Sequence, residues 1–160
     1  MTLLETIRAI EDAAARQPSV AMIVENDVFR LNSYADARYG VFAWTQGRHR
    51  GNVGEDFLRL SFTLFYIDRL RNDIANQVEV QSVGMETLKN ILALLRDRGI
   101  EPETYEFQPF NQRFADECAG VYASVVFIVD AGSGCAEDID YTDLPEGWEA
   151  AAPDVIIRKF

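Results

Sequence analysis

Residues 120–130 read GVYASVVFIVD, a run that is apolar on both of its alternating faces. In an extended chain successive side chains point to opposite sides. Val121, Ala123, Val125, Phe127 and Val129 then share one face, and Tyr122, Val126 and Ile128, with Ser124, share the other. Such a strand belongs inside a sheet, or it presents its outer face to a partner. A second run, DFLRLSFTLFYIDRL at 56–70, alternates cleanly: Leu58, Leu60, Phe62, Leu64 and Tyr66 one way, Arg59, Ser61 and Thr63 the other. That alternation predicts an antiparallel sheet with one face covered and the other wetter.

The rest of the chain supplies cover and edges. Thr2-Leu3-Leu4-Glu5 has the spacing of a capping box, and Leu4, Ile7, Ile10 and Ala14 recur at helical intervals before Pro18. Residues 3–16 are therefore expected to be a short amphipathic helix. Val80, Val83, Leu88, Ile91, Leu92 and Leu95 form a second helical stripe within 76–98, with Gly99 placed to end it in a left-handed conformation. Short strands are expected at 20–25 and 27–32 around Asn26-Asp27, another at 38–46, and a hairpin joining 103–114 to 120–130 across ADECAG. The stretch GRHRGNVGED has no core-forming pattern and reads as an exposed loop. The expected fold is α+β: an antiparallel sheet of about five or six strands with two helices packed on one face. Residues 1–130 make one domain on this reading. Residues 131–160 make an acidic arm, with DVIIRKF available as a final edge strand.

Net charge is −11, from 15 basic and 26 acidic residues. Phosphate backbones and anionic membrane surfaces are held by concentrated Lys and Arg, so neither nucleic acid nor membrane is an expected partner. No apolar run approaches the roughly 20 residues of a spanning helix, and the N-terminal pattern is not that of a signal or transit peptide. Synthesis inside the cell is expected. Two cysteines make no disulfide framework; with 120–130 extended, the short link from Asp130 to Cys135 cannot return to Cys118. Free thiols suit a reducing compartment.

The usual signatures of chemistry are weak. One histidine and two cysteines do not build a zinc site. Taking Asp138 as the first position of a calcium loop puts Asp140, Thr142 and Glu149 at ligand positions, but Asp143 stands where the sharp turn needs glycine. The acids of 137–149 read instead as a solvated tail. His49 sits in the polar loop away from any evident nucleophile, and the acids beside Cys118 oppose thiolate formation. Asp116 and Glu117, being adjacent, point to opposite faces and read as turn acids, not as an acid–base pair. No phosphate-binding glycine loop is present. The aromatics Tyr39, Phe42, Trp44, Phe65, Tyr66, Phe107 and Phe110 read first as core, with a ligand pocket between sheet and helix 76–98 as the rival reading. Nothing calls for a cofactor, and no enzyme is expected.

The element order resembles that of the small tail-completion and tail-terminator proteins of tailed bacteriophages and prophages. FTLFYIDRLRNDIANQVEVQSVGMETLKNILALL (62–95) and FQPFNQRFADECAGVYASVVFIV (107–129) carry the likeness, which also extends to prophage-type uncharacterised proteins of gut Bacteroidetes. It covers roughly residues 1–130 and rests on element order, without a diagnostic motif. The resemblance implies a non-enzymatic virion part, assembled in the host cytoplasm. It would act as a homo-oligomer, often a ring, against tail-tube or connector proteins. Contact residues expected on this basis are Arg38, Trp44, Arg48, Arg50, Arg59 and Arg113, since arginine and tryptophan dominate interface hot spots.

Overall fold

The computed structural model describes residues 1–25, 39–70, 76–111 and 118–130, together with the backbone of 148–152 and 155–158. Two 13-residue strands, β4 (Phe57–Arg69) and β6 (Cys118–Asp130), pair antiparallel over their whole length, from Phe57 opposite Asp130 to Arg69 opposite Cys118. Beside them lie β2 (Val41–Gln46) and β5 (Glu101–Asn111), and β1 (Met22–Val24) extends the sheet beyond β2. The spatial order is β1-β2-β4-β6-β5, with β3 (Arg50–Gly51) also paired to β4. β6 is thus an inner strand, as its two apolar faces require.

Helices α1 (Leu3–Ala15) and α2 (Gln77–Asp97) cover one face. Their buried residues Ile10, Ala13, Ala14, Leu88, Ile91, Leu92 and Leu95 pack with Phe42, Trp44, Leu60, Phe62, Leu64 and Tyr66 of the sheet and with the odd-numbered residues Val121–Val129. Each large side chain fully buried in this layer contributes roughly 1.5–3 kcal/mol. The caps are those expected from sequence. Glu5 N–H donates to Thr2 Oγ1 at 3.2 Å and Thr2 N–H to Glu5 Oε2 at 2.6 Å, which holds the Glu5 carboxyl below its usual range. At the end of α2, Gly99 has φ +79°, its N–H donates to Arg96 O, and Ile100 N–H donates to Leu95 O. This is a Schellman motif, sealed by the buried pair Leu95 and Ile100.

Several expectations need correction. The sheet is mixed, because β1 runs parallel to β2 (Met22 opposite Val41, Val24 opposite Ala43). A tight turn at Asn26-Asp27 would give antiparallel neighbours, whereas a parallel neighbour needs a longer crossover. The Gly40 carbonyl accepts from Ala21 and Met22 N–H and so fixes the start of this pair. The expected strand 27–32 lies outside the described residues. The polar stretch after Gln46 is not wholly a loop, since Arg50 and Gly51 pair with Arg59 and Leu58. The strand begins earlier than expected, with Cys118 and Ala119 belonging to β6 and not to the hairpin turn. The C-terminal strand β8 (Val155–Arg158) pairs with β7 (Trp148–Ala152) in a separate two-stranded sheet, so it is no edge of the main one. In α2, Val83 is 37% exposed, while Gly84 and Thr87 are buried in its place.

Two glycines mark where backbone meets backbone or ring. A Cβ on Gly120 would stand 1.9 Å from the Tyr66 carbonyl oxygen, and one on Gly84 would stand 2.9 Å from Tyr66 Cδ1. Tyr66 is therefore gripped between α2 and β6. Its hydroxyl donates towards Ser19 O and Asp68 Oδ2, each at 3.4 Å. Burial, and then the charge of Asp68, push the phenol up to about 12.

Gly120→Ala is expected to destabilise the fold by about 3 kcal/mol or more, since the obstructing atom is backbone. Gly99→Ala, where a Cβ meets nothing within 4 Å, is expected to cost only about 1 kcal/mol through its left-handed φ. Urea unfolding of the two variants checks the order. The raised Tyr66 phenol favours the native state below pH 10, where it is neutral in both states. Above that the unfolded phenol ionises first, so stability falls between about pH 10 and 12, by about 2–3 kcal/mol from this group. Denaturant titrations of the wild type and Tyr66→Phe across this range are expected to show a shallower alkaline loss in the variant.

Candidate contact face of the sheet

The face of the sheet turned away from the helices changes character along the strands. At one end Val24, Val41, Ala43, Ile67, Phe110 and Cys118 form a second buried cluster, with Tyr39, Phe65 and Tyr122 against it. Phe65 and Phe110 flank Tyr122 at ring distances of 5.8 and 6.3 Å, and Tyr122 Oη donates to Gln108 Oε1 at 2.8 Å. The Tyr39 phenol is raised, first by burial and then by its hydrogen bond with Cys118. Arg69 lies over the Tyr39 ring at 5.3 Å. Cys118 is buried within this packing.

The middle of the face is a row of hydroxyls. Thr45, Thr63, Ser124 and Glu106 stand opposite one another across β2, β4, β6 and β5. Thr63, Ser124 and Glu106 border an open depression of about 440 Å³ whose lining also includes Gly47, Ser61, Thr104 and Val126. A register shift between Pro102 and Thr104 sets this lining. It turns Thr104 to the side of Val126, where unbroken alternation would turn it to the side of Phe127.

The far end is charged. Arg59 Nη1 donates to Glu55 Oε2 at 3.1 Å and Arg59 Nε to Glu103 Oε1 at 3.2 Å, and its guanidinium lies 4.9 Å from the Phe57 ring centre. Those two carboxylates hold the Arg59 proton more tightly than usual. Arg50 stands opposite Arg59 in the β3–β4 register, and Arg48, Arg50 and Arg59 line one depression of about 310 Å³ with Ser61, Glu103 and Val126. His49 points to the other side. Its ring is 5.6 Å from Phe62, its Nδ1 accepts from Ser61 N–H at 3.2 Å, and its Nε2 lies 3.1 Å from Gln46 Oε1. The acceptor role of Nδ1 puts the ring proton on Nε2, which donates to Gln46. His49 thereby ties the segment bearing Arg48 and Arg50 to β4.

Of the six contact residues expected from sequence, Arg48, Arg50 and Arg59 share this charged end. Trp44 does not: it is 4% exposed in the helix-covered core, and its Nε1 donates to Glu11 Oε1 on α1 at 3.0 Å. Its parity with Phe42 in β2 places it there. Arg38 and Arg113 lie outside the described residues, as do Asp116, Glu117, Cys135 and the calcium-loop positions Asp138 to Asp143. Sequence reading missed Glu55, Glu103 and the hydroxyl row. Glu55 was accessible to it as the residue four before Arg59. Glu103 was not, because it reaches Arg59 from two strands away.

The expected aromatic pocket finds Phe42, Trp44 and Tyr66 packed in the main core and Tyr39, Phe65 and Phe110 on the opposite side of the sheet. Among the described residues no group of three or more His, Cys, Asp or Glu side chains gathers to hold a metal ion, and no helix is long and apolar enough to cross a membrane. No protein-family model matches this sequence, and no curated protein matches it.

Because the chain has a single histidine, its tautomer is directly readable. Long-range nitrogen–proton NMR of the neutral ring is expected to show the proton on Nε2. A proton on Nδ1 would contradict the tie to Ser61.

Proposed function

We propose that this chain is a non-enzymatic assembly protein that meets protein partners through the open face of its sheet. The particular reading is a tail-completion or tail-terminator component of a phage or prophage. It would assemble with copies of itself and with tail-tube or connector proteins in the host cytoplasm before entering the virion. One observation carries the contact reading: the helix-covered face is filled by Phe42, Trp44, Phe62, Leu64 and Tyr66, all at most 4% exposed, while Ser124 at the centre of the opposite face is exposed. An inner strand whose central outward residue stays in solvent is available to a neighbour. The likeness of residues 62–95 and 107–129 to tail-completion proteins supplies the assembly context.

The edges of the sheet favour contact by the face over contact by strand addition. β5 is an 11-residue edge, long enough to template a foreign strand, but Pro102 and Pro109 interrupt its donors and Glu101, Glu103 and Glu106 charge it. Edges of this kind resist pairing.

Ser124→Arg places a bulky charge at the centre of the open face, whereas Glu86→Arg alters only an exposed position on α2. Light scattering over a concentration series is expected to show self-association, lost in Ser124→Arg and kept in Glu86→Arg. Co-purification with a phage tail-tube protein is expected to follow the same pattern. A wild-type chain that stays monomeric and captures no such protein, or variants that behave alike, would contradict the proposal.

A further inference from the structure

We infer that Arg48 and Arg50 form a carboxylate-binding site that takes an extended acidic segment of a protein partner; the inference rests on the open sheet face being the contact face. Three arginines, Arg48, Arg50 and Arg59, line one depression of about 310 Å³. Arg59 is already matched by Glu55 and Glu103. Arg48 and Arg50 are exposed, and their side chains make no ion pair or hydrogen bond within the described residues. Like charges directly opposite one another, as Arg50 and Arg59 are, destabilise a strand pair. A ligand carboxylate would relieve that repulsion and accept the forked donors of a guanidinium bidentately.

The charge balance selects the ligand. Three arginines against Glu103, which lines the depression, and Glu55, which pairs with Arg59, leave one positive charge, which suits one or two partner carboxylates and not a run of phosphates. Glu55, Glu103 and, along the face, Glu106 would stand against a nucleic-acid backbone, in a chain already at −11. Ser61 and Val126 line both this depression and the hydroxyl-bordered one of about 440 Å³ beside it. The threonine and serine hydroxyls there would serve the polar backbone of an extended segment. His49, bound to the Ser61 amide from the other side, holds the arginine-bearing segment in place before the ligand arrives.

The test is fluorescence anisotropy with a labelled poly-glutamate peptide at low salt. Poly-glutamine serves as the neutral comparison and an oligothymidylate as the nucleic-acid comparison. Poly-glutamate is expected to bind, poly-glutamine not. Binding should fall about tenfold or more in Arg48→Ala/Arg50→Ala, fall less in Arg48→Lys/Arg50→Lys, and stay unchanged in Arg8→Ala on α1. Equal binding by the double-alanine variant, equal binding of poly-glutamine, or tighter oligothymidylate binding through the same arginines would overturn the site. The assembly assay separates the two claims. Assembly lost in Ser124→Arg with peptide binding indifferent to the arginines overturns the site alone. Peptide held by the arginines, with assembly indifferent to Ser124→Arg, overturns the contact reading alone.

Discussion

The antiparallel ladder between β4 and β6 is the interaction on which the rest of the molecule depends. It joins residues 57–69 to 118–130 without a break, α2 packs against both of its strands, and α1 shares the same core. Register is decisive here, because a slip by one residue would exchange every buried side chain for an outward one. Phe62, Leu64 and Tyr66 would then face water, and Thr63 and Ser124 would face α2. Gly120 locks the register from within: only a residue without a side chain lets the β6 backbone approach the Tyr66 carbonyl so closely.

That fixed register divides the chain's chemistry between two sides. One side receives the helices and is closed by packing. The other carries a gradient from the buried cluster around Phe110 and Cys118, through hydroxyls, to the arginines around Arg59. The gradient follows from alternation along two strands, with the shift at Pro102/Thr104 bringing β5 into line. The arginine end is therefore a product of the same pairing that builds the core, and so is the separation of Trp44 from it.

Much of this was legible in the sequence where local periodicity and caps agree. The capping box at Thr2 and Glu5 and the left-handed Gly99 each have one physical meaning, the run 120–130 has the pattern of an inner strand, and the structure follows them. Legibility failed where the outcome depends on partners distant in sequence. The parallel direction of β1 beside β2 and the pairing of Arg50–Gly51 with β4 depend on neighbouring strands and not on local pattern. The exchange of Val83 for Gly84 and Thr87 reflects the place where α2 meets the Tyr66 ring, and no helical pattern encodes that. At the candidate site, Arg59 on the wet side of an alternating strand was visible beforehand. Its gathering with Arg48 and Arg50 required knowing that the 47–51 segment folds back along β4. The sequence ranked Trp44 by residue type alone, and parity within β2 overrules that ranking.

Native-state hydrogen exchange tests the dependence on this ladder most directly. Inner amides of β4 and β6 in core register, those of residues 60–67 and 121–129, are expected to exchange only through global unfolding, with a denaturant dependence equal to that of the whole chain. The edge strands β1 and β5 and the short β3 are expected to open locally and sooner. Protection that is highest in α1 or α2, with β4 and β6 exchanging through local openings, would contradict the account.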